Sequence, residues 1–539
     1  MVSLPRVPDV RIARCRALGF VGSALLTLGT FATGALPVAM DDPFGGYPVV
    51  SQLRSLPAVA LGLTFLGLTL LLGAWIRLGA VLKQDALERR PRTPVAEMAT
   101  TLAWWTAPLL VAPPLYSRDV YSYLVQGAMF AQDWDPYRIA PVIYGADNIS
   151  EIWWHSTAPY GPVFLGIAAL VTMVAGSSVV TGVLLMRLVM VASLVVIARC
   201  VTALARRYGV DPARALWLGV LNPLVLAHLI GGVHNDALML ALMLAGLLAA
   251  QRDRIVEAAV LIGLAVLVKA TAGLALVFVV PAAARWLHAR GRAGGDPSSP
   301  GALVRGAALV GVLSGAVVLG LTAATRSGYG WLGGLGDTVS VHNGLSLVTD
   351  VGRFYEWLGG VLGITAPVDP IAVARLVGGA AALGVILVLL TRLRGRPVLG
   401  VGLGLGAVVL LGPVVHPWYL LWALVPIAAS TRSERLVRVV AALSVVMAYY
   451  PMPSGGGPTG EIVVGVMGAL VGIAYLRRNP LEGLHTRLGL TASPRRLLAL
   501  LVPAVREIDL REAPPAGVRR QLVGADGGRG PRSSQGGSA

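Results

Sequence analysis

RRYGVDPARALWLGVLNPLVLAHLIGGVHNDALMLALMLAGLLAAQRDR, residues 206–254, holds two apolar runs, at about 214–231 and 235–251. A membrane-crossing helix needs roughly 20 apolar residues, and each run is close to that length. Arg206, Arg207 and Arg214 precede the first run, and Arg252 and Arg254 follow the second. Arginines collect on the cytoplasmic side of membrane helices. The pair therefore reads as two spans that return to the cytoplasm, with His234, Asn235 and Asp236 at the outer turn.

The whole chain has the same texture. Of its 539 residues, 55% are hydrophobic and 13% charged, with a mean hydropathy of +0.73. A soluble domain carries roughly 25% charged residues, so half that supply cannot cover a water-facing surface. The net charge of +17 does not signal a nucleic-acid partner, because the basic residues sit between apolar segments instead of forming a stripe. Cys15 and Cys200 lie far apart and define neither a disulfide framework nor a thiolate metal site.

The charge pattern extends the topology in both directions. An arm with Arg6, Arg11, Arg14 and Arg16 precedes a span at about 17–38. Asp41 and Asp42 follow in a short outer loop, and a second span (56–76) returns to Arg77, Lys83, Arg89, Arg90 and Arg92. A third span (98–115) delivers the acidic stretch 116–159 to the outer face. The run 160–176 reads as a half-buried helix, since a full crossing would place Arg206, Arg207 and Arg214 outside. A span at 181–204 follows. The stretch 255–287 is too long for one helix and reads as a hairpin with Lys269 near its outer tip. Further spans are expected at 303–324, 371–391, 397–414, 417–430, 436–452 and 460–476. The sum is an all-α chain with about 14 spans and both termini cytoplasmic. A membrane domain over 1–480 is followed by an Arg-rich, largely disordered tail, 481–539, whose segment 493–506 can lie on anionic lipid. The Gly-rich run 398–412 lacks the strand that a nucleotide-binding loop requires; its small residues suit close helix packing.

Charges in or beside spans are costly and point to function, and here they gather on the outer face. YSRDVYSYLVQGAMFAQDWDPY (116–137) holds Arg118, Asp119, Tyr123, Asp135 and Tyr137, and HSTAPYGPVF (155–164) adds Tyr160. A carboxylate at a helix start is favoured by the dipole; the same group beside Arg118 and tyrosines suits a general base or a hydroxyl anchor. GGVHNDALM (231–239), LVKATAG (267–273), SVHNGLS (340–346) and VVHPWYLLW (414–422) contribute His234, Asp236, Lys269, His342, His416, Trp418 and Tyr419. Three histidines raise the question of zinc, but no His-x-x-x-His spacing supports a closed site. No cofactor is expected; a divalent cation remains open, though nothing in the sequence indicates one.

In their order, these elements resemble the GT-C membrane glycosyltransferases. They are the acidic outer loop with Asp-Pro-Tyr and Pro-Tyr-Gly-Pro, the His-Asn-Asp helix start, the mid-hairpin Lys and the His-Pro-Trp-Tyr-Leu-Leu-Trp stretch. The chain is most similar to the actinobacterial polyprenol-phosphomannose-dependent α-(1→6)-mannopyranosyltransferases of A/B type, over about residues 15–480. The resemblance implies an inverting transfer of mannose from polyprenyl-phosphate-mannose to the growing mannan of lipomannan and lipoarabinomannan. It also implies a catalytic Asp in the first large outer loop (about 116–160), which points to Asp119. An earlier outer loop, after the first span, also carries carboxylates here, so Asp41 or Asp42 competes; the Tyr and Trp context favours Asp119. Lys269 and Arg118 are the candidate cations for the departing phosphate, with His234 or His416 as hydrogen-bond donors. Other readings are a different lipid-linked sugar donor such as an arabinosyl phosphate, a lipid or sugar transporter or flippase, and a scaffold. No repeat between the halves supports a transporter.

Overall fold

The structure is a computed structural model. It describes residues 9–37, 47–144, 154–291, 294–325, 327–333, 346–363 and 367–450, and the isolated positions 466, 467, 469, 470 and 473. Asp41, Asp42, His342, most of the expected span 460–476 and the tail 481–539 lie outside the described residues. Among the described residues every regular element is helical.

The first helix differs from the expected span. α1 (Val10–Thr33) starts seven residues early, because the Asp9 side chain accepts from Arg11 N and caps it. Arg11, Arg14 and Arg16 thus belong to the helix and not to a free arm. Arg11 Nη2 bonds Asp85 at 2.7 Å, while Arg16, 1% exposed, pairs with Glu97 and donates to Thr101. After α2 (Pro48–Ser55), α3 (Pro57–Leu87) runs back along α1. The two backbones are in near contact: a Cβ on Gly22 would lie 2.7 Å from Gly67 O, the close approach that small residues permit.

Where one span was expected at 98–115, the chain is broken. α4 (Val95–Thr106) gives way to a 3₁₀ turn, Pro108–Val111, because Pro108, Pro113 and Pro114 have no N–H to continue a helix. α5 (Asp119–Ala131) and α6 (Pro162–Ala175) pack together with Gly127 against Ala168. At 14 residues α6 is too short to cross alone. α7 (Val179–Tyr208) is long and is ended by Gly209 in the left-handed conformation at φ 63°.

The pair expected at 214–231 and 235–251 is also more irregular. α8 (Pro212–Gly219) stops before Asn222-Pro223. A π-helical turn, Val225–Gly231, follows, and the chain bends by 112° into α9 (Asp236–Ala250). α10 (Ile255–Val266) and α11 (Leu274–Ala289) are separated by an extended Lys269 and a short 3₁₀ turn. Then come α12 (Pro300–Ala324), α13 (Leu347–Leu362), α14 (Pro370–Arg392) and α15 (Pro397–Leu410). A 3₁₀ turn at Pro417–Leu420 leads into α16 (Leu421–Ser430), and α17 is Glu434–Tyr449. The Gly-rich run 398–412 is largely α15, with Gly400 against Phe278 and Gly402 against Ile427. It is a packing face.

Among the described residues, six helices are long and apolar enough to cross a membrane, or up to seven if the bent pair counts as one span. Several of the other expected spans are apolar helices of 10–17 residues. The expected count of about 14 rests on these shorter apolar helices and on segments outside the described residues as well.

Candidate active site

The site is built where helices break. Ser117, Arg118 and Asp119 lead into α5, and Asp119 N donates to Ser117 Oγ. His234, Asn235 and Asp236 lead into α9, each fully buried. Leu115 N donates to Gly231 O and ties these two helix starts together. Just before each start stands a non-glycine residue at positive φ, Tyr116 at 67° and Val233 at 58°. Such a backbone costs on the order of 1–3 kcal/mol and persists only where its surroundings dictate it. Between them the packing at Gly232 admits no side chain: a Cβ there would sit 2.8 Å from both His228 O and Leu115 O.

This join brings Asp119 Oδ2 within 3.3 Å of His234 Nδ1. Burial acts to raise the Asp119 carboxyl, but hydrogen bonding and charge from His234, with help from Ser117, hold it below the usual carboxylate range. Asp119 is therefore ionised at neutral pH. Asp119, Ser122 and Gln126 share one face of α5 and line a small pocket with Ser156, Thr157 and Tyr160. The pocket is rich in hydroxyls and measures about 10 Å³, room for roughly one water. It must widen to admit a sugar ring.

A layer of rings joins this carboxylate to a second one. His234 stacks on Trp418 at 4.1 Å between centroids, and His416 stacks on the same indole at 4.4 Å. Burial pushes the His416 imidazole down to about 4, so it is neutral at pH 7. Tyr419, next in sequence, stacks on Trp422 at 4.3 Å. Trp422 Nε1 donates to Asp236 Oδ1, which also accepts from Lys269 Nζ at 2.8 Å. Lys269 lies 4.7 Å from the Tyr419 ring centroid. Its charge is thus shared between a buried carboxylate and aromatic faces.

The remaining expected residues take supporting positions. Tyr123 packs edge-on against Tyr160 and Phe164, and Tyr137 donates to Tyr160 O at 2.9 Å. Asp135 caps its own turn through Tyr137 N and faces Arg138, so it is not drawn into the cluster. Arg118 Nε donates to Leu36 O.

Three contributors escaped the sequence reading. Trp422 supplies the indole donor to Asp236. His228 is fully buried in the π-helical turn, 5.5 Å from the Trp418 ring, with neither nitrogen hydrogen-bonded. π-helical turns recur at functional sites. Arg187, 1% exposed in the middle of α7, donates to Ile230 O, Leu110 O and Gly231 O. It holds carbonyls left open by two helix breaks. A lone arginine inside an otherwise apolar run was the available signal. Among the described residues no group of three or more His, Cys, Asp or Glu side chains is placed to hold a metal ion.

The described residues are helical and bury a carboxylate among hydroxyls, imidazoles and cations, and the chain's relatives place it among the glycosyltransferases. The α-(1→6)-mannopyranosyltransferase N-terminal domain matches residues 16–285 and the MptB C-terminal domain matches residues 348–478. α-(1→6)-Mannopyranosyltransferase B of Corynebacterium glutamicum is 33% identical over 515 residues, covering 88% of this chain and 84% of that protein. α-(1→6)-Mannopyranosyltransferase A of Mycobacterium tuberculosis is 37% identical over 441 residues, 79% of this chain and 82% of that protein. The chain belongs to the α-(1→6)-mannopyranosyltransferase A/B family. No solved structure matches it.

Proposed function

We propose that this protein transfers mannose from polyprenyl-phosphate-mannose to a growing α-(1→6)-mannan of the lipomannan and lipoarabinomannan type, on the outer membrane face, with inversion. The observation that carries this reading is Asp119, buried and ionised at the mouth of α5 beside His234 and a hydroxyl-lined pocket. In the reaction, the acceptor's 6-hydroxyl gives its proton to an Asp119 oxygen as its own oxygen attacks mannose C1. The bond from C1 to the phosphate oxygen breaks on the opposite face, and its electron pair leaves with the polyprenyl phosphate. A β-linked donor becomes an α-linked product.

The departing phosphate needs positive charge and hydrogen-bond donors. Arg118 adjoins Asp119 in sequence and donates to Leu36 O, and is one candidate cation for that phosphate. Lys269 is engaged by Asp236, so its pull on the phosphate is shared with that carboxylate. His234 and His416 supply ring N–H groups. A lipid-linked donor accounts for a transferase built within the membrane.

Isolated membranes incubated with radiolabelled polyprenyl-phosphate-mannose and a short α-(1→6)-mannoside acceptor should give an extended mannoside. Extension from a nucleotide-mannose donor alone would refute the lipid-donor assignment. Orientation is checked separately. Reporters active only outside the cytoplasm should work when fused after residue 140 or 345 and stay silent after 85 or 480. The reverse pattern would move the site to the other face.

A further inference from the structure

A second cavity, of about 530 Å³, lies between α1, α2, α5, α7 and the Pro108–Val111 turn. We propose that it receives the isoprenoid chain of the donor, with α5 as the partition between tail and sugar; this rests on the lipid-donor reading above. The volume falls in the range of sites that enclose a drug-sized ligand. The walls are aliphatic, with Leu28, Val50, Leu53, Val180, Val183 and Leu184 among them.

Two polar side chains of the wall, Tyr121 and Arg187, are already occupied. The Tyr121 hydroxyl donates to Ala35 O at 2.9 Å. Arg187 also lines the cavity, yet each of its three guanidinium nitrogens donates to a backbone carbonyl. A polar ligand would gain nothing from these groups, whereas a hydrocarbon gains by leaving water.

The position of the cavity selects the donor from among apolar molecules. Asp119, Ser122 and Gln126 face the hydroxyl pocket, while Tyr121 from the same helix faces the cavity. Residues two apart on a helix point to nearly opposite sides. Arg118 sits at the start of this partition and is tied to Leu36, and the adjacent Pro37 lines the cavity. A molecule spanning both chambers has a sugar at Asp119, an anionic junction at Arg118 and a long apolar chain in the cavity. An isoprenyl phosphate sugar has that order of parts; a mannan acceptor lacks the chain.

The test fills the cavity and varies the chain. Val183→Trp, and Val49→Trp at the rim in case α7 rejects the larger ring, are assayed with a long-chain donor and a short, water-soluble one. The kcat/KM ratio of long over short donor should fall about tenfold or more, the equivalent of losing two buried methylenes. An unchanged ratio in variants that still use the short donor overturns the proposal. Photolabelling separates this outcome from failure of the donor reading itself. A diazirine-bearing isoprenyl phosphate without mannose should label the peptide spanning 179–187, and unlabelled isoprenyl phosphate should compete. If wild-type enzyme uses neither donor but labelling persists, the cavity assignment stands and the donor reading falls. Equal labelling by a diazirine phospholipid would make the cavity an ordinary acyl-chain site and end the proposal.

Discussion

α12 and α14 are uninterrupted helices of 25 and 23 residues whose apolar side chains point outward, with Val312 70% and Leu376 75% exposed. The stretch from α8 to α9 is also rich in apolar residues but is largely buried and broken three times, by Asn222-Pro223, by the π-helical turn and by the 112° bend. In lipid, an unpaired backbone group costs several kcal/mol, so irregular backbone is tolerated only inside protein. The contrast shows where this chain can place chemistry. Its outer helices satisfy their own backbones and carry none; its inner segments break and lean on buried side chains. The breaks in turn bring His234 to Asp119 and Asp236 to Lys269 and Trp422.

The sharpest way to break this contrast is at the carboxylate. Asp119→Asn keeps the shape and the helix start but cannot take a proton, so mannosyl transfer should fall by roughly 10²–10⁴-fold with expression intact. Asp41→Asn and Asp42→Asn should be milder. Near-normal turnover in Asp119→Asn, with either of the others dead, would shift the catalytic role to the first outer loop.

Next in size is the inner ion pair. Lys269→Met leaves Asp236 buried without its counter-charge, a loss of about 3–5 kcal/mol, read as a lower unfolding temperature in detergent. The double variant Lys269→Met/Asp236→Asn should regain much of that stability. If it regains full activity as well, Lys269 has no part in donor use and serves only to neutralise Asp236.

Arg187→Met tests whether the breaks need their capping side chain. The carbonyls of Leu110 and Ile230 lose this donor, while Gly231 O keeps Leu115 N, at about 1–3 kcal/mol for each carbonyl left unsatisfied. An unfolding temperature equal to wild type would mean the broken segments stand without it.

The smallest effect compares two glycines. Gly232→Ala drives a Cβ into Leu115 O and His228 O and should cost roughly 1–3 kcal/mol, the range for overpacking. Gly379→Ala on α14 meets nothing within 4 Å and should be neutral or slightly stabilising through better helix propensity. Equal behaviour of the two would erase the distinction between inner and outer helices.

Much of the site was legible in the sequence because its residues cluster locally. Arg118-Asp119, His234-Asn235-Asp236, Lys269 and His416-Pro417-Trp418-Tyr419 each stand out as polar groups at the edge of apolar runs, and all of them meet or adjoin the cluster. Asp135 stood out equally, yet it only caps a turn; spacing along the chain does not say which way a loop carboxylate points. The break at Lys269 was readable from the length of 255–287. The break inside 214–231 was signalled by Asn222-Pro223 and Gly231-Gly232, turn dipeptides that an apolar count passes over.

The sequence by itself determined that this is a helical membrane chain, because its charged residues are too few to cover a soluble surface and fall between apolar runs. It also supplied the functional groups and their order. Only the tertiary structure decided which of them act together. Asp119 meets His234 across 115 positions, Trp422 reaches Asp236 across 186, and Arg187 turns from an apparent flaw in a span into the clasp of two broken helices. These pairings follow from close packing and from the need to satisfy every buried polar group, constraints that act through space and leave no period in the chain.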